Sequence, residues 1–141
     1  MNKILMSRHE TQVRFSEVDS MAVVWHGNYV KYFEDGREAF GTQYDLHYLD
    51  VYANELMTPV VKLSIDYKKP LNYGDTAIIE TTYKDCDSAK IIFEYKIYRK
   101  SDGELAVTGE SVQVFLNLKG ELLLTLPPFM EEWKKKQGFI K

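Results

Sequence analysis

The sequence DSMAVVWHGNYVKYFEDGR, residues 19–37, places three polar side chains just ahead of a segment with helical spacing. They are the carboxylate of Asp19, the imidazole of His26 and the carboxamide of Asn28. A helix N-terminus presents backbone N–H groups without intrahelical partners and carries a partial positive charge. Because such a terminus beside a carboxylate and an imidazole can polarise a carbonyl, this segment predicts an active site.

The segment that follows predicts a long helix with one aromatic face. Three aromatic residues and one glycine share the i, i+4, i+7, i+11 spacing of a single face: Tyr29, Phe33, Gly36 and Phe40. We expect Asn28 to be the N-cap and Gly41 to end the helix. Since Gly36 costs about 1 kcal/mol of helix propensity relative to Ala, it indicates that another element packs closely there.

Most of the remaining chain has the two-residue alternation of antiparallel strands. The alternating segments are residues 11–18, 59–68, 76–83, 91–97 and 105–118. The last has apolar residues on both faces, which favours cover by a helix on one side and by another subunit on the other. Residues 42–55 predict a short helix or an irregular aromatic cover, and residues 129–137 predict a terminal helix whose lysines, residues 134–136, are solvated.

This order of elements predicts an α+β fold, with one long helix against one curved antiparallel sheet. A length of 141 residues with 45% hydrophobic content predicts a single domain over residues 1–141. The net charge is only −3 and the basic residues are scattered, so nucleic acid is not an expected partner. No stretch is apolar over the length of a membrane span or a signal sequence, and we expect a cytoplasmic protein. Cys86 is the one cysteine, which fits a reducing compartment.

Several other classes of site are disfavoured by the sequence. The three histidines lack the spacing of a zinc site, so no metal is expected. Motifs of serine hydrolases, nucleotide hydrolases and dinucleotide oxidoreductases are absent from the sequence. Taken singly, Asp19 is best explained as a residue that caps a turn, and His26 as a ring packed under the helix. Together at a helix start, the two residues indicate an active site. Glu34 and Glu38 are a second carboxylate candidate, for which a solvated helix face is the competing interpretation.

Residues 13–40, VRFSEVDSMAVVWHGNYVKYFEDGREAF, resemble the signature of the hotdog-fold acyl-CoA thioesterases of the 4-hydroxybenzoyl-CoA thioesterase and YbgC type. The shared pattern is a strand ending in Asp, small residues, Val-Val-aromatic-His, Asn-Tyr, and a helix with Phe-Glu and Arg. The resemblance extends weakly through residues 67–70, YKKP, and 73–75, YGD. It implies a hotdog fold, with a long central helix wrapped by five or six antiparallel strands. It also implies a homodimer with active sites at the interface, usually paired into a homotetramer.

The resemblance implies roles for individual residues. Asp19 matches the catalytic carboxylate, which either attacks the thioester carbonyl or activates water. His26 matches the motif histidine, whose backbone N–H polarises the carbonyl. Residues expected to line the acyl pocket are Val24, Trp25, Asn28 and Tyr29. Lys68 and Lys69, at a strand end, are candidates to bind coenzyme A phosphates as point charges, against ordinary surface lysines.

The sequence therefore predicts hydrolysis of short aliphatic or aromatic acyl-CoA to free acid and coenzyme A, without a further cofactor. An acyl carrier protein is a possible alternative carrier of the acyl group. Phe15 stands where some relatives have Tyr, so any role of that hydroxyl is absent here. Met21 and Trp25 are bulky where many relatives have smaller groups, so the sequence does not decide between an aliphatic and an aromatic acyl group. The alternative is a non-catalytic module that binds acyl-CoA or acyl carrier protein. A third interpretation, a hotdog dehydratase, would use Glu34 or Glu38 with a histidine across the interface.

Overall fold

The computed structural model describes residues 3–141 and has the predicted α+β order of elements. The predicted domain of residues 1–141 begins two residues before this range. The elements are β1 Leu5–Gln12, α1 Tyr29–Tyr44, α2 Tyr48–Ala53, β2 Leu56–Met57, β3 Val60–Tyr67, β4 Thr76–Lys84, β5 Lys90–Arg99, β6 Leu105–Val114, β7 Leu116–Asn117 and α3 Pro128–Gln137. Within residues 3–141, no helix is both long enough and apolar enough to cross a membrane.

Five strands form one antiparallel sheet in the order β1-β4-β5-β6-β3, and β2 pairs with β7 in a small second sheet. Alternate residues of β4 and β5 are buried under α1, as their alternation predicts. These inward residues are Ala77, Ile79, Thr81, Tyr83, Ile91, Phe93, Tyr95 and Ile97. The order leaves β1 and β3 at the two edges of the sheet.

The predicted aromatic face of α1 is confirmed. Tyr29, Phe33, Gly36 and Phe40 are all buried. Phe33 stacks on Tyr95 of β5, with ring centroids 4.2 Å apart. The predicted close approach at Gly36 is also confirmed, since a Cβ there would overlap the hydroxyl of Thr81 and lie 2.9 Å from Cγ2 of Ile79. The glycine thus lets α1 lie directly on the sheet.

Three predicted boundaries are wrong. The strand predicted over residues 105–118 ends at Val114, and Leu116–Asn117 pair with Leu56–Met57 in the second sheet. The first strand is Leu5–Gln12, and Phe15–Glu17 form a 3-10 turn. The backbone N–H of Arg14 donates to the Glu17 carboxylate at 2.8 Å, which closes that turn and ends the alternating geometry. The long helix continues past Gly41 to Tyr44, and Asp45 ends it in the left-handed conformation, with φ 58°.

The prediction of a solvated lysine run at the end of α3 is wrong for Lys134. This residue is 3% exposed, and its Nζ donates to the carbonyl of Cys86 at 2.7 Å and pairs with the Asp85 carboxylate at 3.0 Å. Its two successors in the run are exposed. Trp133 donates from Nε1 to the carbonyl of Tyr44 at 2.7 Å. The terminal helix therefore covers the end of α1 and the β4–β5 turn.

Candidate active site

Asp19 lies in a tight loop whose two sides meet in a short antiparallel bridge between Val18 and Val24. Its backbone N–H donates to the carbonyl of Val23 at 2.9 Å, and the N–H of Ala22 donates to the carbonyl of Asp19 at 3.0 Å. Ala22 takes a left-handed conformation, with φ 62°. That conformation is strained for a residue with a Cβ. The hydrogen bonds of the loop hold Ala22 in it and give the loop a defined shape.

The carboxylate of Asp19 uses its two oxygens differently. Oδ1 accepts hydrogen bonds from the N–H groups of Met21, at 2.9 Å, and Val23, at 3.4 Å. Oδ2 accepts no hydrogen bond from residues 3–141, and the residue is partly exposed. One oxygen therefore stabilises the loop, as expected of a turn cap, while the other is free to react.

The loop is fixed to the segment before β4. The N–H of Val24 donates to the carbonyl of Leu71 at 2.8 Å, and the N–H of Tyr73 donates to the carbonyl of Ala22 at 2.9 Å. Val24 is 4% exposed and belongs to the hydrophobic core. Its side chain therefore packs beneath the loop, whereas Trp25 is 51% exposed and accessible to a ligand.

Glu17 joins the loop to α1 through its backbone and its side chain. Its carbonyl accepts the N–H of Trp25 at 2.9 Å and the Nδ2 group of Asn28 at 2.8 Å. Its Oε1 accepts the hydroxyl of Tyr32, a fully buried residue of α1, at 2.9 Å. Burial, and next the hydrogen bond to Glu17, raise the pKa of Tyr32, so its phenol remains a neutral donor. Asn28 is the N-cap residue of α1, as predicted, but its side chain caps no N–H group of the helix, and its Nδ2 group donates to this carbonyl.

The start of the helix presents two free donors. Residues 26–28 form a 3-10 turn directly before α1, and the N–H groups of His26 and Gly27 have no acceptor within the described part of the chain. The indole of Trp25 lies over Gly27, where a Cβ would come 2.6 Å from Cη2 of the ring. The same ring contacts the imidazole of His26, with centroids 4.7 Å apart. These N–H groups and the helix dipole suit a developing oxyanion.

Tyr67, the last residue of β3, ties the sheet edge to this helix start. Its hydroxyl donates to the carbonyl of His26 at 3.0 Å. Its ring lies edge-on to those of Tyr29 and His26, at 5.5 and 6.4 Å between centroids. Tyr29 is 3% exposed, and burial raises the pKa of its phenol, so it acts as a neutral packing residue.

Lys68 and Lys69 follow Tyr67 and are exposed. The N–H groups of both donate to the carbonyl of Ala106, at 2.8 and 3.0 Å, so the strand end is anchored to β6. The Nζ of Lys69 lies 3.4 Å from a carboxylate oxygen of Glu104. Both lysines directly follow Tyr67, whose hydroxyl contacts the helix start of the candidate site.

The second carboxylate candidate lies elsewhere. Glu34 and Glu38 are exposed on α1 and line a cavity of about 570 Å³ between α1, α2 and strands β3, β5 and β6. Arg37 and Gln113 also line this cavity, which contains neither Asp19 nor His26. Within one chain, the structure therefore separates these glutamates from the Asp19 loop. No group of three or more His, Cys, Asp or Glu side chains in residues 3–141 is placed to hold a metal ion.

Sequence reasoning missed Glu17, Tyr32 and Tyr67 as parts of this site. Tyr32 lies outside the predicted aromatic stripe, and the hydroxyl of Tyr67 reaches a residue 41 positions earlier in the chain. Two signals were available: Glu17 is a carboxylate two residues before Asp19 in a segment interpreted as a strand, and Tyr67 opens the YKKP segment covered by the resemblance.

Comparisons with known proteins identify the family of this chain. Residues 13–134 match a family model described as the thioesterase-like superfamily. The chain is 37% identical over 109 residues to a Bacillus subtilis (strain 168) protein with the provisional name acyl-CoA thioesterase YneP, covering 77% of this chain and 78% of that protein. It is 26% identical over 91 residues to a Haemophilus influenzae protein named acyl-CoA thioesterase YbgC, covering 64% of this chain and 67% of that protein.

A solved structure gives the same result at the level of the fold. The DHNA-CoA thioesterase from Staphylococcus aureus superposes with a TM-score of 0.83 at 26% sequence identity, covering 94% of this chain and 91% of that chain. The resemblance and the fold expected from the sequence are both confirmed. The chain belongs to the thioesterase-like superfamily, a family of thioester hydrolases, and has its hotdog fold.

Proposed function

We propose that this protein hydrolyses acyl-CoA thioesters to the free acid and coenzyme A, with Asp19 as the catalytic carboxylate. The observation that carries the proposal is the free Oδ2 of Asp19 in a loop fixed beside two unpaired N–H groups, those of His26 and Gly27. Thioester hydrolysis needs a nucleophile or base on one side of the carbonyl and oriented donors on the other. Family membership supports the reaction class.

Two routes use these groups. In the first, an oxygen of Asp19 attacks the thioester carbon, the C–S bond breaks with its electron pair leaving on sulfur, and water then hydrolyses the mixed anhydride. In the second, Asp19 accepts a proton from water as the water oxygen attacks the same carbon, and the tetrahedral intermediate expels thiolate. In both, the N–H groups of His26 and Gly27 would stabilise the oxyanion, and a donor of this kind can lower the barrier by roughly 3 to 4 kcal/mol.

The finer features of the proposal concern the substrate. Trp25 would form a wall of the acyl site, because its exposed ring lies over the helix start. Asn28 and Tyr29 would shape the acyl pocket beside it. Lys68 and Lys69 would attract the coenzyme A phosphates. We propose that no cofactor takes part in the reaction. A short aliphatic or aromatic acyl group, an acyl carrier protein as alternative carrier and a cytoplasmic location stay predictions.

Thiol release tests the reaction against the alternative of a non-catalytic acyl-CoA binding module. We expect the purified protein to release free thiol from members of a panel of short, long and aryl acyl-CoA thioesters, with kcat/KM varying strongly along the panel. Calorimetric binding without thiol release across the whole panel would instead support the binding module. Release of an enoyl product without free thiol would support a dehydratase.

We also propose that the active unit is a homodimer joined through β3. This edge strand exposes apolar side chains along a free backbone edge, including Val60, Val61 and Leu63 at 39%, 59% and 38% exposure. An apolar edge strand pairs readily with another strand. Antiparallel pairing of β3 with its own copy would bring the Val60 end of one subunit beside the Tyr67 end of the other. Because Val60 lines the 570 Å³ cavity, the cavity of one subunit would then face the helix start of its partner.

Sedimentation velocity tests this assembly. We expect the wild-type protein to sediment at a multiple of its 16.5 kDa chain, as a dimer or the predicted tetramer. Val61→Lys combined with Leu63→Lys should shift it towards monomer, because like charges would face each other across the pairing edge. Leu124→Lys, at an 83% exposed site outside the strands of either sheet, is the matched control and should leave the mass unchanged. A fully active wild-type monomer would refute the assembly.

A further inference from the structure

We propose that Tyr67 is a positioning residue for the donors that polarise the substrate carbonyl. Its phenol holds and polarises the peptide group between His26 and Gly27, so that the N–H of Gly27 is a stronger and better oriented donor. This inference rests on the proposed function. It gives the Tyr67 hydroxyl a role that acts through the peptide group of His26 and Gly27, without contact with the substrate carbonyl.

The carbonyl of His26 and the N–H of Gly27 belong to one planar peptide unit. The hydroxyl of Tyr67 donates to that carbonyl at 3.0 Å. The N–H on the other side of the unit has no acceptor within residues 3–141. A hydrogen bond to the oxygen of an amide draws electron density away from the nitrogen, and cooperative strengthening of this kind is of the order of 10 to 30% per bond. The bond also fixes the plane of the peptide, and hence the direction of the N–H.

The ring of Tyr67 is well placed for this role. It is half exposed, yet it packs edge-on against the buried ring of Tyr29, at 5.5 Å between centroids. The chain directly after it is anchored, because the N–H groups of Lys68 and Lys69 share the carbonyl of Ala106. The phenol is thus held by the sheet edge and does not depend on the loop that it contacts.

Two other roles for the hydroxyl make different predictions. If it only stabilised the fold, its removal would lower the melting temperature and leave turnover by the folded enzyme unchanged. If it bound the substrate directly and equally in ground state and transition state, its removal would raise KM and leave kcat unchanged. A positioning role through the peptide predicts a lower kcat with little change in KM or in melting temperature.

The first test is independent of turnover. In Tyr67→Phe, which keeps the ring and its packing, we expect the amide ¹⁵N resonance of Gly27 to shift upfield by more than those of the surrounding residues. Site-specific fluorotyrosines at position 67, which are stronger donors while protonated, should move it the opposite way. Tyr52→Phe, which removes an exposed hydroxyl from α2, is the matched control and should leave the resonance in place. An unmoved Gly27 resonance in Tyr67→Phe overturns the inference, even if no thioester proves to be a substrate.

The second test is kinetic. With an acyl-CoA substrate of the wild-type enzyme, we expect Tyr67→Phe to lower kcat about 5- to 10-fold, less than the roughly 100-fold loss for a donor that contacts the oxyanion directly. KM should stay within about twofold. At a pH where every phenol is protonated, kcat should rise as the fluorotyrosine at position 67 becomes more acidic. A kcat independent of phenol acidity, or a change in KM alone, overturns the inference. Loss of turnover in Asp19→Asn with wild-type kinetics in Tyr67→Phe would leave the proposed function standing and refute only the role of Tyr67.

Discussion

Replacing Asp19 with asparagine is expected to lower kcat for acyl-CoA hydrolysis by about 10³-fold or more, with little change in stability. An amide is neither a nucleophile nor a base at this site, so both routes to hydrolysis are lost. The amide oxygen can still accept the hydrogen bonds that Met21 and Val23 donate to Oδ1, so the loop should keep its shape. Thiol-release kinetics and thermal unfolding measure the two effects separately.

Asp87→Asn is the matched control for this change. It removes one negative charge from the exposed β4–β5 turn, where Asp87 makes no ion pair or side-chain hydrogen bond with the described residues. We expect wild-type kcat for this variant. Near-normal turnover in Asp19→Asn would refute the catalytic role of Asp19 and would favour the binding module or a carboxylate from the 570 Å³ cavity.

Isotope labelling identifies nucleophilic attack by Asp19 when the anhydride is hydrolysed at the aspartyl carbon. With enzyme in excess over substrate in H₂¹⁸O, direct attack by water places one ¹⁸O in the acid formed in the first turnover. Attack by Asp19, followed by hydrolysis of the anhydride at the aspartyl carbon, gives a first acid without ¹⁸O and leaves the label in Asp19. Mass spectrometry of the peptide that contains Asp19 detects that label.

The features predicted correctly from the sequence are those that repeat along the chain. The face of α1 was predictable because Tyr29, Phe33 and Phe40 recur at helical spacing, and four of the five sheet strands were found from their alternation. The first strand was misplaced because the alternation runs on through Phe15 after the backbone has already turned. That turn depends on a side chain bonding to backbone, which has no periodic signal.

The candidate site was predictable only in part, because its supports join distant parts of the chain. Asp19 and His26 were found from their place before a helix, and their roles stay predictions. The bonds from Tyr32 to Glu17 and from Tyr67 to His26 link residues 15 and 41 positions apart. Val24 is buried and its N–H donates to the carbonyl of Leu71, and its place in the acyl pocket stays a prediction. Such contacts depend on how elements pack, which one sequence does not reveal.

Replacing Gly36 with valine is expected to destabilise the protein by about 3 kcal/mol. The gain in helix propensity over glycine is below about 1 kcal/mol, so the steric term decides the sign. A Cβ at this position would overlap the hydroxyl of Thr81 and crowd Ile79, both buried in β4. The helix would have to move off the sheet, and it carries the donors of the candidate site at its start. For a chain of this size, we expect the melting temperature to fall by about 10 °C.

Two further variants show whether contact with the sheet causes this loss. Lys31→Val introduces the same side chain on the exposed face of α1 and should change the stability by less than about 1 kcal/mol. Thr81→Ala removes the hydroxyl that Gly36 approaches, and that hydroxyl has no hydrogen-bond partner within residues 3–141. In a double-mutant cycle with Gly36→Val, the Thr81→Ala change should therefore recover part of the stability lost at position 36, with a coupling energy of about 1 kcal/mol or more. Additive effects in that cycle, or equal losses at positions 31 and 36, would show that close packing on β4 is not what requires glycine there.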